Sequence, residues 1–215
     1  MSRTSWRLLV VSGLMVPLVA ASFGGWAVVT VEQLPDYLVA GQPATFNFTV
    51  RQHGRTLLSD LRGNVQARSG KTDITADARR GTEPGLYQAT LTVPEPGEWT
   101  VSINSGFNGA GTTLVPLVAV RAGVQPTTAT LSDTDRGKRL FVAKGCYTCH
   151  LHRDVNRSSI EVGPELTGTK RSPDVIAQVL AGSRAPAMPD LKLQKSEIPA
   201  LTSFLTRVAG NQASR

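Results

Sequence analysis

The sequence predicts two unlike halves, an all-β immunoglobulin-like sandwich followed by a small all-α unit, and three observations carry this reading. Apolar residues recur at every second position from Trp26 to about Arg121. A stretch without periodicity follows at 122–135, and the spacing then turns helical around the chain's two cysteines, Cys146 and Cys149. With 215 residues, 40% of them hydrophobic and 18% charged, the chain has room for one large domain or two small ones.

At the N-terminus, Arg3 and Arg7 precede an apolar run, Leu8 to Ala21, and small residues (Ala20, Ala21, Ser22) close it. Basic, apolar and small segments in that order read as a secretory signal over residues 1–22, and the run is short for a bilayer span of roughly 20 residues. The mature chain is therefore expected in the periplasm or another extracytoplasmic space. Phe23 to Val31 adds further apolar residues after the signal, so a retained membrane anchor is the competing reading. The net charge is +7, with Lys and Arg scattered along the chain. A nucleic-acid partner would ask for a concentrated basic face, so that class is set aside. A basic docking surface for an acidic protein or an anionic membrane is retained.

Residues 23–121 form the expected sandwich. "ATFNFTV" alternates Phe46, Phe48 and Val50 with polar neighbours, "YQATLTV" does so with Tyr87, Ala89, Leu91 and Val93, and "EWTVSIN" with Trp99, Val101 and Ile103. Adding "WAVVTV", "GNVQARS", "TDITADA" and "TLVPLVAV" gives about seven strands separated by Gly, Pro and Asn turns, the spacing of an antiparallel sandwich. A Thr-, Ala- and Pro-rich linker is placed at 122–131. The helical unit occupies 132–211. Ser132 and Asp135 suit the start of "DRGKRLFVAKG", Pro173 opens "PDVIAQVLAG", and Ser196 precedes "EIPALTSFLTRVAG", which Gly210 should stop. A unit of this size often needs a staple or cofactor to hold together.

Within it, "GCYTCH" (145–150) has the Cys-x-x-Cys-His spacing of a c-type haem attachment site. Two thiols on one helical turn can add to the two porphyrin vinyl groups, and the next residue then lies under the iron. Cys146 and Cys149 would form the thioethers and His150 the proximal ligand. Three other readings compete. A disulfide here would close a tiny loop and constrain little. A redox dithiol wants a strand and a βαβ context. Zinc would need two more ligands, and only His152 and His53 remain. Met188 is the one methionine left once Met1 and Met15 depart with the signal, so it is the expected distal ligand. His152, two positions past His150, is expected at the surface, and His53 in a turn.

"GKRLFVAKGCYTCH", "GPELTG" and "APAMPDLKLQKSEIPALTSFLTRV" resemble, in order and spacing, the class I cytochromes c across residues 132–209. The resemblance implies that the Pro164 carbonyl accepts a hydrogen bond from the proximal imidazole and that Leu166 packs on the haem face. It also implies that the first and last helices cross near Gly137, Phe141 and Phe204. The first half more weakly resembles small exported sandwich domains of the FixH and YtkA-like kind, which are linked with respiratory oxidases and copper handling.

The expected function is that of an exported mono-haem cytochrome, no enzyme itself, which moves single electrons in a respiratory or photosynthetic chain. It would carry one covalent haem c and dock on redox proteins such as a membrane oxidase, reductase or photosynthetic complex. Two alternatives stay open, an open-site haem sensor or enzyme and an assembly or copper-related adaptor acting through the sandwich. Lys138, Arg139, Lys144, Arg153 and Arg157 surround the haem motif in sequence and suggest a docking face for an acidic partner.

Overall fold

The computed structural model describes residues 24–124, 131–182 and 188–207. The expected signal segment at 1–22, the centre of the expected linker and the helix stop at Gly210 lie outside them. Eleven strands are described: β1 (Ala27–Val31), β2 (Leu38–Val39), β3 (Pro43–Gln52), β4 (Thr56–Leu57), β5 (Asn64–Ser69), β6 (Thr72–Asp77), β7 (Arg79–Arg80), β8 (Leu86–Thr92), β9 (Gly97–Asn104), β10 (Gly111–Thr113) and β11 (Leu117–Val120).

They form two sheets. One runs β1-β3-β8-β7 with β4 added to β3, and the other runs β2-β11-β9-β5-β6 with β10 added to β9. The core lies between them because alternate residues of the long strands point the same way. Phe46, Phe48, Val50, Ala89, Leu91, Trp99, Val101 and Ile103 are all buried there. Polar tips of the core aromatics find partners. The Tyr87 hydroxyl donates to Leu58 O at 2.9 Å and accepts from Leu61 N at 3.1 Å, and Trp99 Nε1 donates to Glu95 O at 3.0 Å. One pair departs from the antiparallel expectation, since β11 and β2 run parallel. "TLVPLVAV" is split at Pro116, which has no amide hydrogen to offer a ladder.

Four helices follow: α1 (Asp133–Ala143), α2 (Cys146–Cys149), α3 (Pro173–Leu180) and α4 (Ile198–Thr206). Here the expected fold class is overturned. Among the described residues no separate all-α class I cytochrome c fold stands beside an immunoglobulin-like sandwich. The described chain has more strand than helix, and its helices are 11, 4, 8 and 9 residues long. The resemblance to a class I cytochrome c joined to a FixH- or YtkA-like domain falls with it.

The physical reason is on the outer face of the first sheet. All five residues of β1 are buried. Ala27, Val29 and Val31 face the sandwich core, while Val28 and Thr30 face the other way and are 1% and 0% exposed. That outer face is covered by the helical segment. Thr30 Oγ1 donates to Lys144 O at 3.4 Å, and Lys144 Nζ reaches Glu32 O at 2.6 Å. Ala143 at the end of α1 belongs to the sandwich core itself, although α1, α3 and α4 share an apolar cluster of their own. Short helices with one apolar face enclose little, and the sheet supplies the missing wall.

Candidate functional site

The cysteine motif is reached through α1. Ser132 caps that helix, its hydroxyl accepting from Asp135 N at 3.1 Å. Gly137 lets α4 approach closely, because a Cβ there would run into Ala200 O and the Phe204 side chain. Phe141 and Phe204 then meet with ring centroids 5.6 Å apart. After Ala143 the chain turns at Lys144 and at Gly145, whose φ of 73° lies in the left-handed region and whose Cβ position would meet Val29 O at 2.6 Å. The motif is thus a separate turn of helix, α2, seated against β1.

Cys146 and Cys149 are three positions apart on that turn, and both are free thiols. Burial pushes the Cys146 thiol up to about 12 and raises Cys149 as well. His150 caps the turn in an extended conformation, with φ −115° and ψ 134°. Its Nδ1 lies 2.8 Å from Pro164 O. A carbonyl can only accept, so Nδ1 carries a proton, and in the neutral ring Nε2 then presents its lone pair. No hydrogen bond engages Nε2 among the described residues.

The loop 160–166 holds this arrangement by running back along the motif. Ile160 N donates to Thr148 O, Gly163 N to Cys149 O and Leu166 N to Leu151 O, at 3.2, 3.0 and 2.8 Å. Gly163 packs on the imidazole so tightly that a Cβ there would overlap the ring. Asn156 ties the loop to the turn, its Nδ2 shared among Tyr147 O, His150 O and Ser158 O at 2.7–3.3 Å while its Oδ1 accepts from His152 N. Leu166 and Met188 are partly buried on the apolar cluster that contains Cys146, Ile176 and Leu191. The structure therefore brings Pro164 onto His150, and gathers Leu166, Met188 and Cys146 around one apolar cluster.

Several residues lie where sequence reasoning did not place them. His152 is 3% exposed, not at the surface. Its ring stacks on Phe204 at 4.3 Å and meets Phe141 edge-on at 5.5 Å, and neither nitrogen has a hydrogen-bond partner. Burial lowers its pKa. Lys144 is not on a docking face: its side chain is fully buried and pairs with Glu197 at 3.0 Å. The helical spacing Gly137, Leu140, Phe141, Lys144 was the signal, since it puts the lysine on the apolar stripe. Asn156 and Gly163 had no such signal. Glu197, not Ser196, holds the N-cap position of α4, and its carboxylate accepts from Gln194 N at 2.8 Å. His53, by contrast, sits in a turn as expected, between β3 and β4 with φ 51°, its ring edge-on to Trp26 at 5.5 Å.

Among the described residues no three His, Cys, Asp or Glu side chains gather as a metal-ion cluster, and no helix is long and apolar enough to cross a membrane. What the motif does offer is two free thiols on one helical turn, followed by an imidazole whose outer nitrogen is available. That donor set suits covalent haem attachment with axial histidine ligation.

No protein-family model matches the chain. A 76-residue stretch is 41% identical to the UDP-N-acetylmuramoyl-L-alanyl-D-glutamate--2,6-diaminopimelate ligase of Corynebacterium efficiens, covering 33% of this chain and 14% of that protein. So small a share of the ligase carries nothing about activity here. Among solved structures, the ZirS C-terminal domain is similar over 56% of this chain and 86% of its own, with 11% identity and a TM-score of 0.33. That likeness is too slight to support a common fold.

Proposed function

We propose that this chain holds one haem c through Cys146 and Cys149, with His150 as axial ligand, and passes single electrons between redox partners outside the cytoplasm. The observation that carries the reading is the 2.8 Å contact of His150 Nδ1 with Pro164 O. It favours the tautomer whose Nε2 lone pair is left to ligate, directly after two free thiols. Haem, when bound, supplies an iron that changes oxidation state by one electron.

The chain's own part is to position and to exclude. Gly163 and the loop 160–166 clamp the imidazole plane, and the Pro164 carbonyl raises its basicity. Leu166, Ile176, Leu180 and Leu191 supply an apolar surround that keeps water away. Met188 is the candidate sixth ligand, on the same cluster. Ile160 and Val162, 37% and 62% exposed on the loop that carries Pro164, offer an apolar contact for a redox partner.

Voltammetry and far-red absorption of the purified ferric protein test this. A reversible one-electron step and a sulfur-to-iron charge-transfer band are expected, and Met188→Ala should remove the band and lower the potential. A high-spin spectrum without the band in the unaltered protein would overturn the role of Met188 and favour an open-site sensor or enzyme.

A further inference from the structure

A second site lies where the helical segment meets the outer face of the first sheet. A cleft of about 490 Å³ opens between Thr49 and Arg51 of β3, Arg55 of the following turn, Glu83, and the segment Met188 to Lys192. Arg51 is 6% exposed, and its Nη1 is buried without a hydrogen-bond partner. A buried guanidinium nitrogen with no acceptor is costly, so in the working molecule an oxygen acceptor is expected there. The carboxylates of the cleft do not serve that nitrogen. Lys192 Nζ lies 3.5 Å from Glu83 and 3.9 Å from Asp190. Arg55 makes no ion pair among the described residues. Arg51, Arg55 and Lys192 stand with Glu83 and Asp190 around the cleft, and Glu32, which accepts from Thr49 Oγ1 at 2.8 Å, also acts on Arg51, so carboxylates match the cations in number and the unpaired Nη1 is what points to an acceptor.

The geometry points to an oxyanion-binding site in this cleft, with Arg51 Nη1 donating to a carboxylate or phosphate oxygen and Arg55 adding charge at the rim. Planar guanidinium groups suit such ligands through paired, charge-assisted hydrogen bonds. Two sources offer the same chemistry. One is a free anion, and the other is a propionate of the haem proposed above, because Met188 lines this cleft as well. Only the second source rests on the haem reading.

Isothermal titration of the purified full-length chain with inorganic phosphate and with succinate tests the site, beside Arg51→Lys and the double variant Cys146→Ala/Cys149→Ala, each checked for folding by circular dichroism. Saturable one-to-one binding to the purified protein, weakened roughly ten- to hundredfold in Arg51→Lys, identifies a free anion. Binding seen only in the haem-free cysteine variant identifies a propionate as the occupant. Absence of binding in both forms, or equal binding by Arg51→Lys, overturns the site. If the cysteine variant does not fold, a crystal structure of the purified protein grown in phosphate decides. A phosphate or propionate oxygen within hydrogen-bond distance of Nη1 supports the proposal, and water alone refutes it. Protein that carries no haem yet binds phosphate through Arg51 would separate this inference from the haem reading.

Discussion

Lys144 shows how much one side chain decides here. Its ammonium is fully buried between Glu197 at 3.0 Å and Glu32 O at 2.6 Å, one residue before the Gly145 corner. Removing one partner of such a pair leaves the other charge buried alone. Lys144→Met should therefore cost about 3–5 kcal/mol in urea unfolding, and adding Glu197→Leu should restore much of it. A single-variant loss under 1 kcal/mol would show that the pair is solvated. Asp73 gives the contrasting surface case. Hydrogen bonds from Arg68 and then Gln66 hold its carboxyl below the usual carboxylate range. A depressed folded-state pKa means that its contribution is present above the unfolded pKa and is lost as pH falls through the folded one. Nuclear magnetic resonance titration of Arg68→Ala should show the Asp73 pKa rising toward its ordinary value, and an unchanged value would mean that Arg68 does not hold it. The juxtaposition of Cys146, Cys149 and His150 was legible in the sequence because its geometry is local, two thiols and an imidazole within five residues. The Lys144 partners were not, because Glu32 lies just after β1 and Glu197 just before α4, both far from Lys144 in sequence.

At the scale of elements, alternation located the long strands because each has one face in the core and the pleat repeats every two residues. It failed for β1. Both of that strand's faces are buried, and the polar outward residues Thr30 of β1 and Thr49 and Arg51 of the adjoining β3 looked solvent-facing when they are 0%, 2% and 6% exposed. Periodicity reports polarity, and a sheet face covered by another segment can be polar and dry. The crossing of α1 and α4 rests on Gly137. An alanine there gains about 1 kcal/mol in helix propensity but must displace Ala200 O and Phe204, an overpacking cost of about 1–3 kcal/mol. Gly137→Ala should thus lower the melting temperature, and an unchanged or raised value would mean that the helices separate without strain. On the loop 160–166, Gly163→Ala should push the His150 ring from Pro164 O. With haem attached, the expected outcome is an altered reduction potential at nearly unchanged stability, and an unchanged potential would show that the loop does not orient the imidazole.

For the whole molecule, the seam that the helical segment makes with β1 of the first sheet and β10 of the second makes the two halves interdependent. Ala143 sits in the sandwich core, Tyr147 Oη donates to Gly111 O at 3.0 Å, and Thr112 Oγ1 to Val142 O at 3.4 Å. Unfolding followed by Trp99 fluorescence and by helical circular dichroism should give one coincident transition, whereas two separated transitions would mean that the halves fold independently. The composition shift at 122–135 correctly marked a change from strands to helices, but composition carries no information on whether the parts then pack together. The central claim, covalent haem at Cys146 and Cys149 under His150, is tested most directly by the intact mass and the visible spectrum of the mature protein in denaturant. The account predicts a mass of polypeptide plus one haem and a haem absorbance that stays with the unfolded chain, both lost in Cys146→Ala/Cys149→Ala. A mass equal to the polypeptide alone, in cells that attach haem to other proteins, would contradict it.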